Sequence, residues 1–246
     1  KKKTDLLQKG LLTSIIIIAP AYLEENTIIH IVHSLLNLEY PEYELIVVCD
    51  GSPDRTLQVL LETFQLVKID LPITPTLHTR PVRGVYRSRN HPSLTVIDKE
   101  NGGKADSLNT GLNFASKDYF CGIDADSLLE PDSLLKLASS ALDDPRFFAA
   151  SGGNILPVNG CTVDSGCLGT VDVPSSILAL FQNVEYLRAF MCGRVGWSVV
   201  NGLLIISGAF GLFHTATVRS IGGYLTVSER FKKDTVGEDM ELVLRM

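Results

Sequence analysis

Four short apolar runs, rich in β-branched residues, alternate with amphipathic stretches through the first 142 residues of this chain. Ser14–Ala19 ends at Pro20, and Glu44–Cys49 ends at Asp50-Gly51-Ser52. Leu94–Ile97 leads to a glycine pair, and Asp118–Ile123 leads to Asp124. Runs that are apolar on both faces are buried on both faces, which places them in the centre of a sheet. The stretches between them have helical spacing. Glu24–Leu38 carries Ile28, Ile31, Val32, Leu35 and Leu36, and Asp54 caps a helix running to about Gln65. Lys104–Ala115 and Pro131–Leu142 follow the third and fourth runs. Strand–helix alternation of this kind predicts an α/β fold with a mostly parallel central sheet and helices on both faces.

After Asp144 the alternation loosens. Phe147–Ser151 reads as a strand, 159–173 as loop, and Ile177–Phe190 as a helix. Val195–Phe213 has no charged residue, yet its four glycines with Ser198, Asn201 and Ser207 argue against a membrane span. It reads as a helix end followed by a buried strand, Leu203–Ile206, with close backbone approach at Ser207-Gly208. The Pro- and Arg-rich connection before Leu94 matches no element. Its arginines (Arg80, Arg83, Arg87 and Arg89) read as a solvated loop. No internal repeat appears, so residues 1–246 read as one domain.

A net charge of -6 and a pI near 5.4 give no basic field for nucleic acid. Five cysteines with no CxxC pair fit neither a disulfide framework nor a zinc site, and favour a reducing compartment. His30 and His33 have no third ligand nearby and read as helix surface. The amino terminus lacks the pattern of a signal peptide.

The strand ends carry the chemistry. Open α/β sheets bind ligands at the carboxyl edge of their strands. There the chain delivers Tyr22 and Glu24, then Asp50, then Lys104 behind Gly102-Gly103, then Asp124 and Asp126. Asp-x-Asp by itself is more often a solvated turn. In this company it can hold a hard divalent cation, Mg or Mn, and leave room for phosphate oxygens. A tyrosine face can stack on a base. Lys104 at a helix start suits a diphosphate. The glycine loop is not a P-loop, because Asp98 and Ala105 occupy positions that need Gly and Ser/Thr. The leucines after Asp126 exclude an EF-hand. Acids in the first turn of the last helix ordinarily serve as caps. Beside a nucleotide rim, Asp239 reads instead as a general base.

The ordered set Pro-Ala-Tyr-x-Glu-Glu, Asp-Gly-Ser, Gly-Gly-Lys-Ala-Asp-x-Leu-Asn, Asp-Ala-Asp and Gly-Glu-Asp resembles family 2 glycosyltransferases. The likeness is strongest to the processive synthases of cellulose, hyaluronan and poly-N-acetylglucosamine. The resemblance runs from Ser14 to Met246. It implies a GT-A fold, a UDP-sugar donor, a glycan acceptor and inversion at the anomeric carbon. It also implies that Tyr22 and Glu24 hold uracil, Asp50 the uridine, and Lys104 and Asp124 the diphosphate region. Asp126 would bind metal and Asp239 would act as base. Ser207 and Gly208 open a segment similar to the family's acceptor side, and Phe181–Tyr186 is similar to its membrane-interface helix. Leu23 stands where the family usually has Asn, and no Gln-x-x-Arg-Trp occurs. The chain is therefore expected to be part of a longer membrane protein, with this domain on the cytoplasmic face and the membrane reached through other segments. Two alternatives stay open at this point: a sugar-nucleotide pyrophosphorylase, and a non-catalytic nucleotide-binding or assembly domain.

Overall fold

A computed structural model describes residues 13–124, 127–143, 149–164, 167–199, 202, 205–226 and 237–246. The first half builds β1 (Ile15–Ala21), α1 (Ile28–Leu36), β2 (Tyr43–Asp50) and α2 (Thr56–Thr63). Next come β3 (Leu66–Ile69), β4 (Val82–Ser88), β5 (Leu94–Lys99), α3 (Lys104–Phe114) and β6 (Tyr119–Ile123). The second half adds α4 (Ser133–Asp143), β7 (Ala150–Gly152) and a small hairpin of β8 (Val163–Asp164) and β9 (Cys167–Leu168). It continues with α5 (Ile177–Leu187), a π-helical segment Arg188–Arg194, α6 (Val195–Val199), β10 (Phe210–His214), α7 (Thr215–Ser220) and α8 (Glu238–Arg245).

Eight strands form one sheet in the order β3-β4-β5-β2-β1-β6-β10-β7. The central strands β5, β2, β1 and β6 are parallel, as the apolar runs predict. Both margins are antiparallel: β3 and β4 on one side, β10 and β7 on the other. The sheet is thus mixed, with a parallel centre. Alternate residues of the parallel strands face opposite layers. Ile15, Ile17, Leu45 and Val47 pack with α1, α2 and α4. Ile16, Ile18, Ile46 and Val48 pack with α3, α7 and α8. Helix α3 lies close on β1, because a Cβ on Gly111 would stand 2.4 Å from Ile18 Cγ2.

Two expectations change. Arg83 and Arg87 belong to strand β4 and not to a loop. Arg83 pairs with Asp98 of the neighbouring β5 at 2.6 Å, and the charges of Arg83 and Arg87 on either side of Val85 and Tyr86 break the continuous apolar signal. The strand expected at Leu203–Ile206 begins instead at Phe210. Leu203 and Leu204 lie outside the described residues, and Ile205 and Ile206 make no ladder. A turn closed by Phe210 N–H on the Ser207 carbonyl (3.1 Å) delays pairing until Phe210 meets Ile123. Similarly, the strand expected at Phe147–Ser151 is seen at Ala150–Gly152, with Phe147 and Phe148 outside the described residues. Among the described residues, no helix is long and apolar enough to cross a membrane.

Candidate active site

The parallel strands β1, β2, β5 and β6 end at one rim, where the chain leaves Ala21, Asp50, Lys99 and Ile123. The first two loops are stitched together by side chains. Leu23 N–H donates to Ser52 Oγ (2.8 Å), Glu24 N–H to Thr56 Oγ1 (3.0 Å) and Glu25 N–H to Asp54 Oδ2 (3.2 Å). Leu23 itself has φ 61°, a left-handed conformation costly for a residue with a Cβ. Beside it Tyr22 presents its ring to solvent, 46% exposed, and the Glu24 carboxylate accepts from the Thr27 hydroxyl.

Asp50 is buried at the end of β2 and organises the loop after β5. Its Oδ1 accepts Lys99 Nζ (2.5 Å) and Gly102 N–H (2.9 Å). Its Oδ2 accepts Gly103 N–H (2.8 Å) and Asn101 Nδ2 (3.2 Å). A carboxylate offers about four lone-pair positions. All of them carry donors from the chain, so a ligand N–H accepted by Asp50 displaces one of these. Helix α3 follows directly. Its ladder begins with Ser107 N–H on the Gly103 carbonyl (3.0 Å), which leaves the amides of Lys104, Ala105 and Asp106 outside it.

Lys104 gathers the acids of the far side. Its Nζ lies 2.5 Å from Asp124 Oδ1 at the end of β6 and 3.4 Å from Glu238 Oε1 at the start of α8. Burial works against the Lys104 charge, but Asp124, Asp239 and Glu238 outweigh it and hold the ammonium above the ordinary lysine range. Asp239 sits one residue further along α8. Its Oδ2 accepts Gly208 N–H at 2.7 Å, while its Oδ1 is buried with no hydrogen-bond partner. Burial pushes the Asp239 carboxyl above the ordinary aspartate range. Lys104 and the Gly208 N–H pull it down, and Glu238 and Asp124 add to the rise. Gly208 has to be small, since a Cβ there would lie 2.4 Å from Asp239 Oδ2.

The fold therefore brings Lys104, Asp124, Gly208 and Asp239 together, with Ser207 in the adjoining turn and Asp50 behind the loop that leads into Lys104. Tyr22 and Glu24 follow the neighbouring strand end. Asp126 lies outside the described residues. No group of three or more His, Cys, Asp or Glu side chains among the described residues encloses a cation. The donors present are nonetheless hard oxygens: Asp124 and Asp239 both act on the Lys104 ammonium, and Asp239 keeps an orphaned Oδ1. Mg and Mn are commonly held by one or two carboxylates together with substrate phosphates, which this set fits. The structure adds Glu238 and Lys99 to the site. Glu238 looks like a capping acid, and Lys99 looks like the polar end of a strand. Arg194, in the π-helical segment, lies over the Phe190 ring at 3.9 Å. It lines a small cleft of about 90 Å³ with Gly153, Asn154 and Ser198. A larger cleft, about 560 Å³, adjoins Ala209 and Phe210 on the side of α4 and β7.

The model of glycosyl transferase family 2 matches residues 16–156. Poly-beta-1,6-N-acetyl-D-glucosamine synthase of Staphylococcus epidermidis is 27% identical over 201 residues, 82% of this chain and 39% of that protein. A Staphylococcus aureus protein of the same name is 26% identical over 212 residues, 86% of this chain and 42% of that protein. The chain thus spans about two fifths of the length of these relatives. Among solved structures, a mannosyltransferase from Pyrobaculum calidifontis in complex with GDP-Man and Mn2+ superposes with TM-score 0.58 at 20% identity. The match covers 93% of this chain and 50% of that one. Staphylococcus aureus TarS 1-349 in complex with UDP-GlcNAc gives TM-score 0.55 at 19% identity, covering 94% and 52%. These likenesses support the GT-A-like architecture of a mixed sheet between helical layers. By the family match over more than half its length, the chain belongs to glycosyl transferase family 2.

Proposed function

We propose that this chain is the catalytic domain of an inverting glycosyltransferase. It takes a sugar from a UDP-sugar, with N-acetylglucosamine as the sugar, and transfers it to a hydroxyl of a glycan acceptor with help from Mg or Mn. The observation that carries the reading is the Asp239 carboxylate. One oxygen is fixed by Gly208, and the other is buried, unpartnered and raised in basicity, a few side chains from a lysine and a second aspartate. A general base needs that combination of fixed orientation and a free lone pair.

In this reading the acceptor hydroxyl gives its proton to Asp239 Oδ1 as its oxygen attacks the anomeric carbon. The bond to UDP breaks on the opposite face, and its electron pair leaves with the diphosphate. Lys104 and the open amides of α3 take up the growing negative charge. A divalent cation on Asp124 and Asp126 would supply Lewis-acid neutralisation of the same leaving group. In this reading the exposed Tyr22 ring stacks on the uracil and the Glu24 carboxylate accepts its N–H, while Asp50 sets the loop after β5. On the same reading the acceptor approaches through the cleft lined by Ala209 and Phe210, the residues that follow Ser207 and Gly208 in the chain. The names of the relatives support N-acetylglucosamine as the transferred sugar. Helix α5 leaves Ile177, Leu178 and Phe181 71–80% exposed, and α6 leaves Trp197 and Val199 exposed. Such a surface supports contact with a membrane, the domain lying on its cytoplasmic face.

The test is nucleotide release by the full-length protein in Mn, with UDP-GlcNAc, UDP-glucose and GDP-mannose compared. The expected result is release of UDP from UDP-GlcNAc ahead of the other two, coupled to glycan growth. Release from GDP-mannose alone, or from none of the three, contradicts the reading.

A further inference from the structure

Lys99 is a lysine with no exposed surface, 0%, in the last position of β5. An ammonium has three N–H groups, and all three are used. They go to Asp50 Oδ1 (2.5 Å), Asp106 Oδ1 (2.8 Å) and the Glu100 carbonyl (2.7 Å). No ligand can reach this group, so whatever it contributes passes through its partners. Asp50 holds the amides of Gly102 and Gly103. Asp106 holds the amide of Arg80 with both oxygens, at 3.2 and 3.1 Å. The two loops are also in contact: a Cβ on Gly102 would stand 2.6 Å from Asp106 Cγ and 2.8 Å from Arg80 Cγ.

The charges explain why this cation is needed. Asp50 comes from β2, Asp106 from α3, and both are buried. Two buried carboxylates this close repel each other unless a positive group stands between them. On the adjoining strand, Arg83 is engaged with Asp98. Lys99 therefore joins strand, helix and two loops at the one place where α3 meets the rim. We infer that Lys99 is a positioning residue of the nucleotide site: its buried ammonium ties Asp50 to Asp106, and so fixes the Asn101–Gly103 loop and the Arg80 backbone on either side of the entrance to α3. The positional claim concerns this chain's own loops. Its consequence for donor binding rests on the function proposed above.

Amide hydrogen exchange on the full-length protein tests the clamp, and UDP calorimetry in Mn tests its consequence. In Lys99→Met, exchange at Gly102, Gly103 and Arg80 is expected to accelerate together while Val32 and Leu35 of α1 stay protected. UDP binding should weaken roughly ten- to hundredfold, the usual effect of losing an outer partner of a ligand-binding group. Donor KM should rise more than kcat falls, whereas a smaller folded fraction would lower kcat alone. The milder Asp106→Asn, which leaves Lys99 on Asp50, should speed exchange at Arg80 and spare Gly102 and Gly103. Unchanged exchange at these amides in both variants overturns the inference. Equal acceleration across α1 overturns it as well, because Lys99 would then stabilise the whole domain without positioning a loop. If the exchange pattern appears while wild-type protein fails to bind UDP, the clamp stands and the donor reading falls.

Discussion

Replacing Asp239 with Asn is expected to lower sugar transfer by about 10²–10⁴-fold, the range a general base contributes. The substitution keeps the shape of the side chain, and its carbonyl oxygen can still accept the Gly208 N–H. What it removes is the basic lone pair on Oδ1, the atom left buried and unpartnered. It also removes a negative charge close to Lys104. UDP affinity should therefore be unchanged or slightly tighter, while turnover collapses. Transfer kinetics and calorimetry on the same protein separate the two quantities. Undiminished turnover in the variant removes Asp239 from the reaction.

A second large effect is expected from a smaller change, Gly208→Ala. The backbone there is not left-handed, so alanine itself is not strained; the conflict is with the carboxylate. The new Cβ would lie 2.4 Å from Oδ2 and 2.5 Å from Oδ1 of Asp239. The short acidic side chain must swing aside, and its hydrogen bond to the Gly208 amide goes with it. Displacing a reacting group by about 1 Å can cost roughly 10²-fold in rate. The thermal midpoint should move little, since the part that gives way is the end of a side chain. Combining Gly208→Ala with Asp239→Asn should add almost nothing to the loss from Asp239→Asn alone, because both act through one carboxyl group. Additive losses would mean that Gly208 acts independently of the base.

How far the sequence can be read follows from where each residue spends its free energy. The strands β1, β2, β5 and β6 are buried on both faces, so hydrophobicity alone announces them, while their order in the sheet comes only from the pairing. Strands β3 and β4 lie at the margin, and in β4 the charged Arg83 and Arg87 interrupt the apolar residues around the buried Val85. The place of β4 in the sheet depends on pairing with β5, which no local pattern records. Near Gly208 the most apolar run was a poor guide. Pairing with β6 is set by the turn at Ser207–Ala209, so the strand starts later than hydropathy suggests. The rim shows the same division. Lys104 and Asp124 are legible as charged residues at a helix start and a strand end, whereas Asp239, in a first turn where acids ordinarily cap, is singled out only by the company of that rim. Lys99 and Glu238 are not legible, since a strand-end lysine and a capping acid look ordinary until the partners from β2, α3 and β6 are in place.

The most direct measurement is the anomalous scattering of manganese in crystals of the protein grown with UDP and Mn. A single manganese peak is predicted beside Asp124, with the diphosphate between it and the start of α3 and with the Asp239 carboxylate facing the β-phosphate side. Manganese and nucleotide found away from this rim, for example beside His30 and His33, which with Ile29 and Asn37 line a groove on α1, would contradict the central claim that these strand ends form one sugar-nucleotide site.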